Sequence, residues 1–221
     1  MAKIYVANIN EVVEESQIAK FVDLISDEKR EKIERFHFHE DYLRSLYGDI
    51  LVRKGIETEF GIESKDITFD KNTYGKPFVV GIPDVHYNIS HSGDWVVCII
   101  SRQECGIDVE KIDKAHMDIA KRYFTNAEYK TLETKVGEAQ REYFYDLWTL
   151  KESYIKYKGK GLQIPLNSFG FEQRGGSFYL DSNNEEQLSF QQFTIDQGYK
   201  LSACVKEDIT ELNYVTIGEL L

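Results

Sequence analysis

Proline and cysteine are both scarce, three of each in 221 residues, beside two tryptophans and two methionines. So few prolines, with no low-complexity tract, exclude long disordered linkers. The cysteines (Cys98, Cys105 and Cys204) are odd in number and lack CxxC spacing. That excludes a disulfide framework and a thiolate metal site, and it reads as buried thiols in a reducing cytoplasm. Long apolar runs are also missing. The longest, Trp95 to Ile100, is far too short to span a bilayer. The first residues, Met1-Ala2-Lys3-Ile4-Tyr5-Val6, read as a strand and not as a signal peptide. Positive charge is the minority: 27 Lys and Arg against 38 Asp and Glu leave a net charge of −11. This argues against nucleic acid and acidic membrane surfaces as partners. The expectation is a cytoplasmic protein that engages neither.

What is present is an ordinary globular composition, 42% hydrophobic and 29% charged, long enough to bury a sizeable core. A strand over about 3–8 precedes helical material. Leu43, Leu46, Tyr47, Ile50 and Leu51 follow the i, i+3, i+4, i+7, i+8 rule and predict an amphipathic helix. Ile67 to Phe69 and Val85 to Ile89 read as strands around a turn at Tyr74-Gly75-Lys76-Pro77, and Ser92-Gly93-Asp94 turns into a strand over Trp95 to Ser101. The polar turn Arg102-Gln103-Glu104 predicts Cys105 to Glu110 as a hairpin partner. Thr125-Asn126-Ala127-Glu128 fits a capping box, and a longer helix is expected from Glu138 to Lys158, stopped by Gly159 and Gly161. Strands are expected at Ser177 to Leu180, Leu188 to Ile195, Tyr199 to Val205 and Tyr214 to Ile217. The fold class is therefore α+β: two similar lobes, 1–104 and 105–221, in a pseudo-two-fold arrangement, each with helices packed on a small antiparallel sheet.

Two segments carry the chemistry. In Gly106-Ile107-Asp108-Val109-Glu110 a strand places both carboxylates on one face. In Trp148-Thr149-Leu150-Lys151-Glu152-Ser153-Tyr154-Ile155-Lys156 a helix places Glu152 and Lys156 on one face, one turn apart. Taken alone, Asp-x-Glu reads as a solvated strand face and Glu152–Lys156 as a surface pair. Together, three carboxylates and a lysine that can converge suit a hard divalent cation and a phosphate ester. Basic residues cluster at Lys29, Arg30, Lys32 and Arg35, and again at Lys151, Lys156, Lys158 and Lys160. Singly, these read as solvated helix faces. His37 and His39 resemble an i, i+2 metal pair that no further ligands accompany, and they are read as surface residues.

These two segments, together with Ile25-Ser26-Asp27-Glu28-Lys29-Arg30-Glu31-Lys32, Gly75-Lys76-Pro77, Asn88-Ile89-Ser90-His91-Ser92-Gly93 and Lys158-Gly159-Lys160-Gly161-Leu162, resemble the 4′-phosphopantetheinyl transferases over nearly the whole chain. The likeness is to the monomeric two-lobed type that primes nonribosomal peptide and polyketide synthases. The resemblance implies transfer of the phosphopantetheine arm of coenzyme A to a serine hydroxyl of an apo peptidyl or acyl carrier protein, with Mg²⁺, releasing adenosine 3′,5′-bisphosphate. By motif position it implies Asp108, Glu110 and Glu152 as metal ligands. Asp108, Glu152 and Lys156 would be the catalytic set, with either Glu152 or a metal-bound water as the base. It implies coenzyme A contacts at Lys29, Lys32, Lys76, Ser90, His91 and Lys156, with Arg44 or Ser45 joining them. Carrier docking is expected on the apolar surface of Met117, Ile119, Tyr123 and Phe124.

Two other readings compete: a metal-dependent nucleotide phosphohydrolase that transfers to water, and a noncatalytic carrier-binding module. Retention of Asp108, Glu110, Glu152 and Lys156 together disfavours the second. Gly159-Lys160-Gly161 lacks the spacing and the Lys-Ser/Thr ending of a P-loop, and no GxGxxG fingerprint or Ser/His/Asp order stands out.

Overall fold

A computed structural model describes residues 1–181 and 188–220. The first half of the chain runs β1 (Ala2–Asn8), α1 (Glu15–Leu24), α2 (Asp27–Ile33), α3 (His39–Phe60), β2 (Phe69–Lys71), β3 (Pro77–Val79), β4 (His86–Ser92) and β5 (Trp95–Ser101). The second half runs β6 (Cys105–Lys111), α4 (Met117–Tyr123), α5 (Asn126–Glu133), α6 (Gly137–Lys158), β7 (Gly170–Arg174), β8 (Ser177–Asp181), β9 (Ser189–Phe193), β10 (Tyr199–Val205) and β11 (Ile209–Tyr214). One sheet has the order β11-β1-β5-β4 and the other β6-β10-β9, while β2-β3 and β7-β8 are separate hairpins. The α+β class with two lobes stands.

The apolar run of β5 has no polar face because both its faces are buried. Val96, Cys98 and Ile100 pack with Leu46, Tyr47, Ile50 and Leu51 of α3 in the first core. Val97 and Ile99 point the other way, into a core shared with Ile4, Val6, Ile107, Val109, Leu201 and Ala203. That second set joins the two sheets back to back, so the lobes are fused through a dry interior. A third core lies under α6, where Phe144, Leu147 and Leu150 meet Phe171 and Cys204. All three cysteines are buried.

Several local expectations are corrected. β6 is not the hairpin partner of β5: it pairs antiparallel with β10, Asp108 opposite Ser202, in the other sheet. The strand expected at Tyr214 to Ile217 lies earlier, and Ile217 opens a short 3₁₀ turn. β11 pairs parallel with β1, so the first sheet is mixed and includes the last strand of the chain. The expected strand at Ile67 begins at Phe69. Gly170–Arg174, not anticipated as a strand, pairs with Ser177–Asp181 across Gly175-Gly176, both at positive φ. The capping box is present, with Thr125 accepting from the Glu128 N–H and Glu128 accepting from the Thr125 N–H. α6 ends at Gly159, in the left-handed region as expected.

Candidate active site

The site lies where β4 of the first sheet runs against β6 of the second. No backbone ladder joins these strands. Instead, alternate side chains of β4 take its place: Asn88 Oδ1 accepts the Ile107 N–H at 2.9 Å, Ser90 Oγ the Val109 N–H at 3.2 Å and Ser92 Oγ the Lys111 N–H at 3.1 Å. Period-two alternation puts all three on one face. The same two hydroxyls donate to the carboxylates of β6, Ser90 to Asp108 Oδ1 at 2.9 Å and Ser92 to Glu110 Oε2 at 2.8 Å. A comb of short polar side chains from the first lobe thus orients the acidic pair of the second.

α6 supplies the remaining groups because Gly106 lets it approach. A Cβ on Gly106 would lie 2.0 Å from the Ser153 carbonyl oxygen and 2.4 Å from the Tyr157 nitrogen, so only glycine permits this backbone-to-backbone contact. The contact brings Lys156 Nζ to 2.7 Å from Asp108 Oδ1, 2.9 Å from Ser90 Oγ and 3.1 Å from the Ile107 carbonyl. Asp108 Oδ1 therefore has two donors. Its other oxygen, Oδ2, is buried without a partner among the described residues.

The electrostatics of the group are unbalanced. Burial raises the Asp108 carboxyl against the opposing pull of Lys156 and Ser90. Burial and then Asp108 raise Glu110, against hydrogen bonds from Ser92 and Trp148. Glu152 is pushed up to about 7, first by burial and then by Asp108, with Lys156 opposing and Glu110 adding. Asp108 raises both Glu110 and Glu152, and Glu110 raises Glu152 further, so these carboxylates, with one ammonium among them, form a site that favours additional positive charge. Among the described residues, no three acidic, histidine or cysteine groups form a ready-made metal cage.

A cavity of about 570 Å³ adjoins this group. Glu152, Lys156, Tyr123 and Trp148 line it together with the Tyr74-Gly75-Lys76-Pro77 turn. A second cavity, about 210 Å³, lies beyond Pro77 in the first lobe and is lined by Lys29, Lys32, Asp49, Phe69, Lys71 and Tyr87. Burial lowers Lys29, Asp49 counters it, and Lys32 and Lys71 lower it further, so the three ammonium groups feel one another.

The expected residues divide accordingly. Asp108, Glu110, Glu152, Lys156 and Ser90 converge at the seam, while Lys29 and Lys32 stand together on α2 at the smaller cavity. Ser90 is buried, and its hydroxyl bonds Asp108, the Val109 N–H and Lys156. Lys76 borders the larger cavity, but its ammonium bonds Glu104 at 2.6 Å and the Cys105 and Tyr157 carbonyls at 3.2 Å. Arg44 braces the turn after β4, donating to the Gly93 carbonyl at 2.7 Å and to Asp41 at 2.6 Å, and Ser45 beside it is half-buried. The exposed His91 imidazole is lowered by surrounding protein, then by Arg44 and Lys156.

Two expectations fail on burial. Lys151 is no surface cation: it is fully buried and pairs with Glu128 at 2.9 Å. Phe124 belongs to the core and offers no docking surface, whereas Met117, Ile119 and Tyr123 are partly buried against that core. Sequence reasoning missed Lys71, Trp148 and Ser92. The period-two pattern Asn88, Ser90, Ser92 was the available signal for the last. Lys71 is distant in sequence from α2, and only folding brings it to Lys29.

The family description "4′-phosphopantetheinyl transferase, N-terminal" matches residues 13–103, and "4′-phosphopantetheinyl transferase superfamily" matches residues 104–204. The chain is 40% identical over 219 residues to the 4′-phosphopantetheinyl transferase Sfp of Bacillus subtilis (strain 168), covering 96% of this chain and 98% of that one. It is 41% identical over 181 residues to the 4′-phosphopantetheinyl transferase gsp of Aneurinibacillus migulanus, covering 81% and 76%. The human L-aminoadipate-semialdehyde dehydrogenase-phosphopantetheinyl transferase is 27% identical over 208 residues, covering 83% and 67%. On these grounds the chain belongs to the 4′-phosphopantetheinyl transferase superfamily.

Proposed function

We propose that the seam between β4, β6 and α6 is where this transferase moves the phosphopantetheine arm of coenzyme A onto a serine hydroxyl of an apo carrier protein, in a Mg²⁺-dependent reaction that releases adenosine 3′,5′-bisphosphate. The observation that carries the reading is the convergence of Asp108, Glu110, Glu152 and Lys156 on a cavity whose neighbour holds Lys29, Lys32 and Lys71. One lobe then offers cations to the phosphates and the other offers acids to the reacting centre. Residues 1–104 and 105–221 are the corresponding functional halves.

The acidic group fits Mg²⁺. Its donors are all oxygen, Asp108 Oδ2 is unpartnered among the described residues, and Asp108 raises the proton affinity of Glu110 and Glu152. Magnesium takes one or two carboxylates and completes its octahedron with phosphate and water, so a partial protein shell suffices. Asp108, Glu110 and Glu152 would hold it. When bound, the ion supplies positive charge at the pyrophosphate and at the leaving oxygens.

The chain's own residues do the rest. Glu152 faces the larger cavity from α6 and is the chain's own candidate to accept the serine proton. Lys156 offsets negative charge at the reacting phosphate while it orders Asp108. Lys29 and Lys32 bind the nucleotide phosphate, Arg44 or Ser45 with Ser90 and His91 give further coenzyme A contacts, and Lys76 holds its turn against the end of α6. The carrier docks beside Tyr123, which lines the larger cavity. We further propose a cytoplasmic monomer that primes peptidyl or acyl carriers of nonribosomal peptide and polyketide synthesis. Among the described residues, no helix is long and apolar enough to cross a membrane.

The test is incubation with coenzyme A, Mg²⁺ and an apo peptidyl carrier, read by intact mass. The expected result is a carrier heavier by one phosphopantetheine, with loading abolished by Asp108→Ala. Bisphosphate release without a carrier would make the protein a hydrolase instead.

A further inference from the structure

The turn between β2 and β3 is fastened to the end of α6 across the lobe seam by two side chains, the Asn72 amide and the Lys76 ammonium. Asn72 Oδ1 accepts the N–H groups of Tyr74 at 2.9 Å and Lys76 at 3.0 Å, folding the turn as an Asx motif. The backbone closes the same loop, with the Asn72 N–H bonded to the Lys76 carbonyl and the Gly75 N–H to the Asn72 carbonyl. The other end of the amide faces outward from the loop. Asn72 Nδ2 donates to the Gly159 carbonyl at 3.0 Å, eighty-seven residues away, at the left-handed cap of α6. A helix end leaves its last carbonyls without partners in the helix. Here the first lobe satisfies two at that end, since Lys76 Nζ also reaches the Tyr157 carbonyl. Gly159 leaves room for this: a Cβ there would lie 2.8 Å from Lys76 Cδ.

The same turn lines the larger cavity together with Glu152 and Lys156, and the cap of α6, Gly159, lies three residues beyond Lys156. We propose that Asn72 is a positioning residue for the transfer reaction: its oxygen shapes the turn and its nitrogen locks that turn to the catalytic helix, fixing the width of the coenzyme A cleft. This rests on the proposed function and adds the device that holds the two halves of the site in register.

One amide with two separable tasks allows a clean test. Asn72→Asp keeps an acceptor for the turn and removes the donor to Gly159. Asn72→Ser can also close the turn but is too short to reach across, and it serves if the aspartate variant folds poorly. A neutral hydrogen bond of ordinary strength corresponds to roughly a three- to tenfold effect. Both variants are expected to raise the KM for coenzyme A by that factor, with kcat within about twofold of wild type, and to weaken coenzyme A binding equally when titrated calorimetrically without carrier. A purely structural role would lower the melting temperature and leave KM and binding unchanged, and that result would overturn the proposal. Failure of the wild type to load any carrier would overturn the proposed function and this inference with it; a loading wild type with unmoved variants overturns this inference alone.

Discussion

Replacing Glu152 by glutamine stabilises the metal-free protein at neutral and higher pH, and the gain disappears in acid. The Glu152 carboxyl rises from an ordinary 4.5 to about 7, through burial first and then Asp108, with Lys156 opposing and Glu110 adding. A folded value above the unfolded one means that the folded protein holds this proton more tightly. The contribution to stability is therefore fully present below about pH 4.5, and it is lost as pH rises through about 7. At about 1.4 kcal/mol per decade, the displacement corresponds to roughly 3 kcal/mol. Residual solvent access trims this to about 2–3 kcal/mol. Glutamine has nearly the same shape and carries no charge, so it escapes the penalty.

For a chain of this length, that difference amounts to a rise of about 5–10 °C in melting temperature. The assay is urea and thermal denaturation of wild type and Glu152→Gln in a chelator, from about pH 5 to pH 8. The two proteins should converge near the acid end and separate progressively above it. Adding Mg²⁺ should then stabilise the wild type more than the variant, because only the wild type keeps the third carboxylate. A stability difference that stays constant with pH would refute the reasoning, since it would place the effect in packing and not in ionisation.

Two further substitutions test how the site is held. Lys151→Met should cost about 3–5 kcal/mol in chemical denaturation, because it leaves Glu128 buried without its cation and frees the Leu166 and Phe169 carbonyls that Lys151 now binds at 2.9 and 2.7 Å. Gly106→Ala should lower carrier loading by kcat/KM at least about tenfold, since the new methyl must push α6 off β6 and displace Glu152 and Lys156 from Asp108. Loading at the wild-type rate would show that the close approach of α6 is unimportant for the site.

Much of the fold was legible because it is written in local periodicity. The apolar face of α3, the capping box at Thr125 and the glycine stop of α6 are short-range signals, and each is found. The pairing of β6 was not legible. A polar turn at 102–104 is locally compatible with a hairpin, but the partner of β6 is β10, about ninety residues onward, chosen by the core between the two sheets. The return of β11 to β1 is hidden for the same reason. Lys151 was misleading in a different way. A charged residue on an amphipathic helix reads as solvated, and only the position of Glu128 on α5 makes its burial tolerable.

The proposed catalytic group was legible as a set of residues but not as an arrangement. Spacing alone puts Asp108 with Glu110 and Glu152 with Lys156, each pair on its own element. What joins the pairs is a glycine with no chemistry of its own and a strand whose serines replace a missing backbone ladder. Because Ser90 and Lys156 both occupy one oxygen of Asp108, the other is held free and buried. The free oxygen thus depends on a hydroxyl from the first lobe and an ammonium from the second. Neither lobe alone could maintain it, so the proposed active site belongs to the seam.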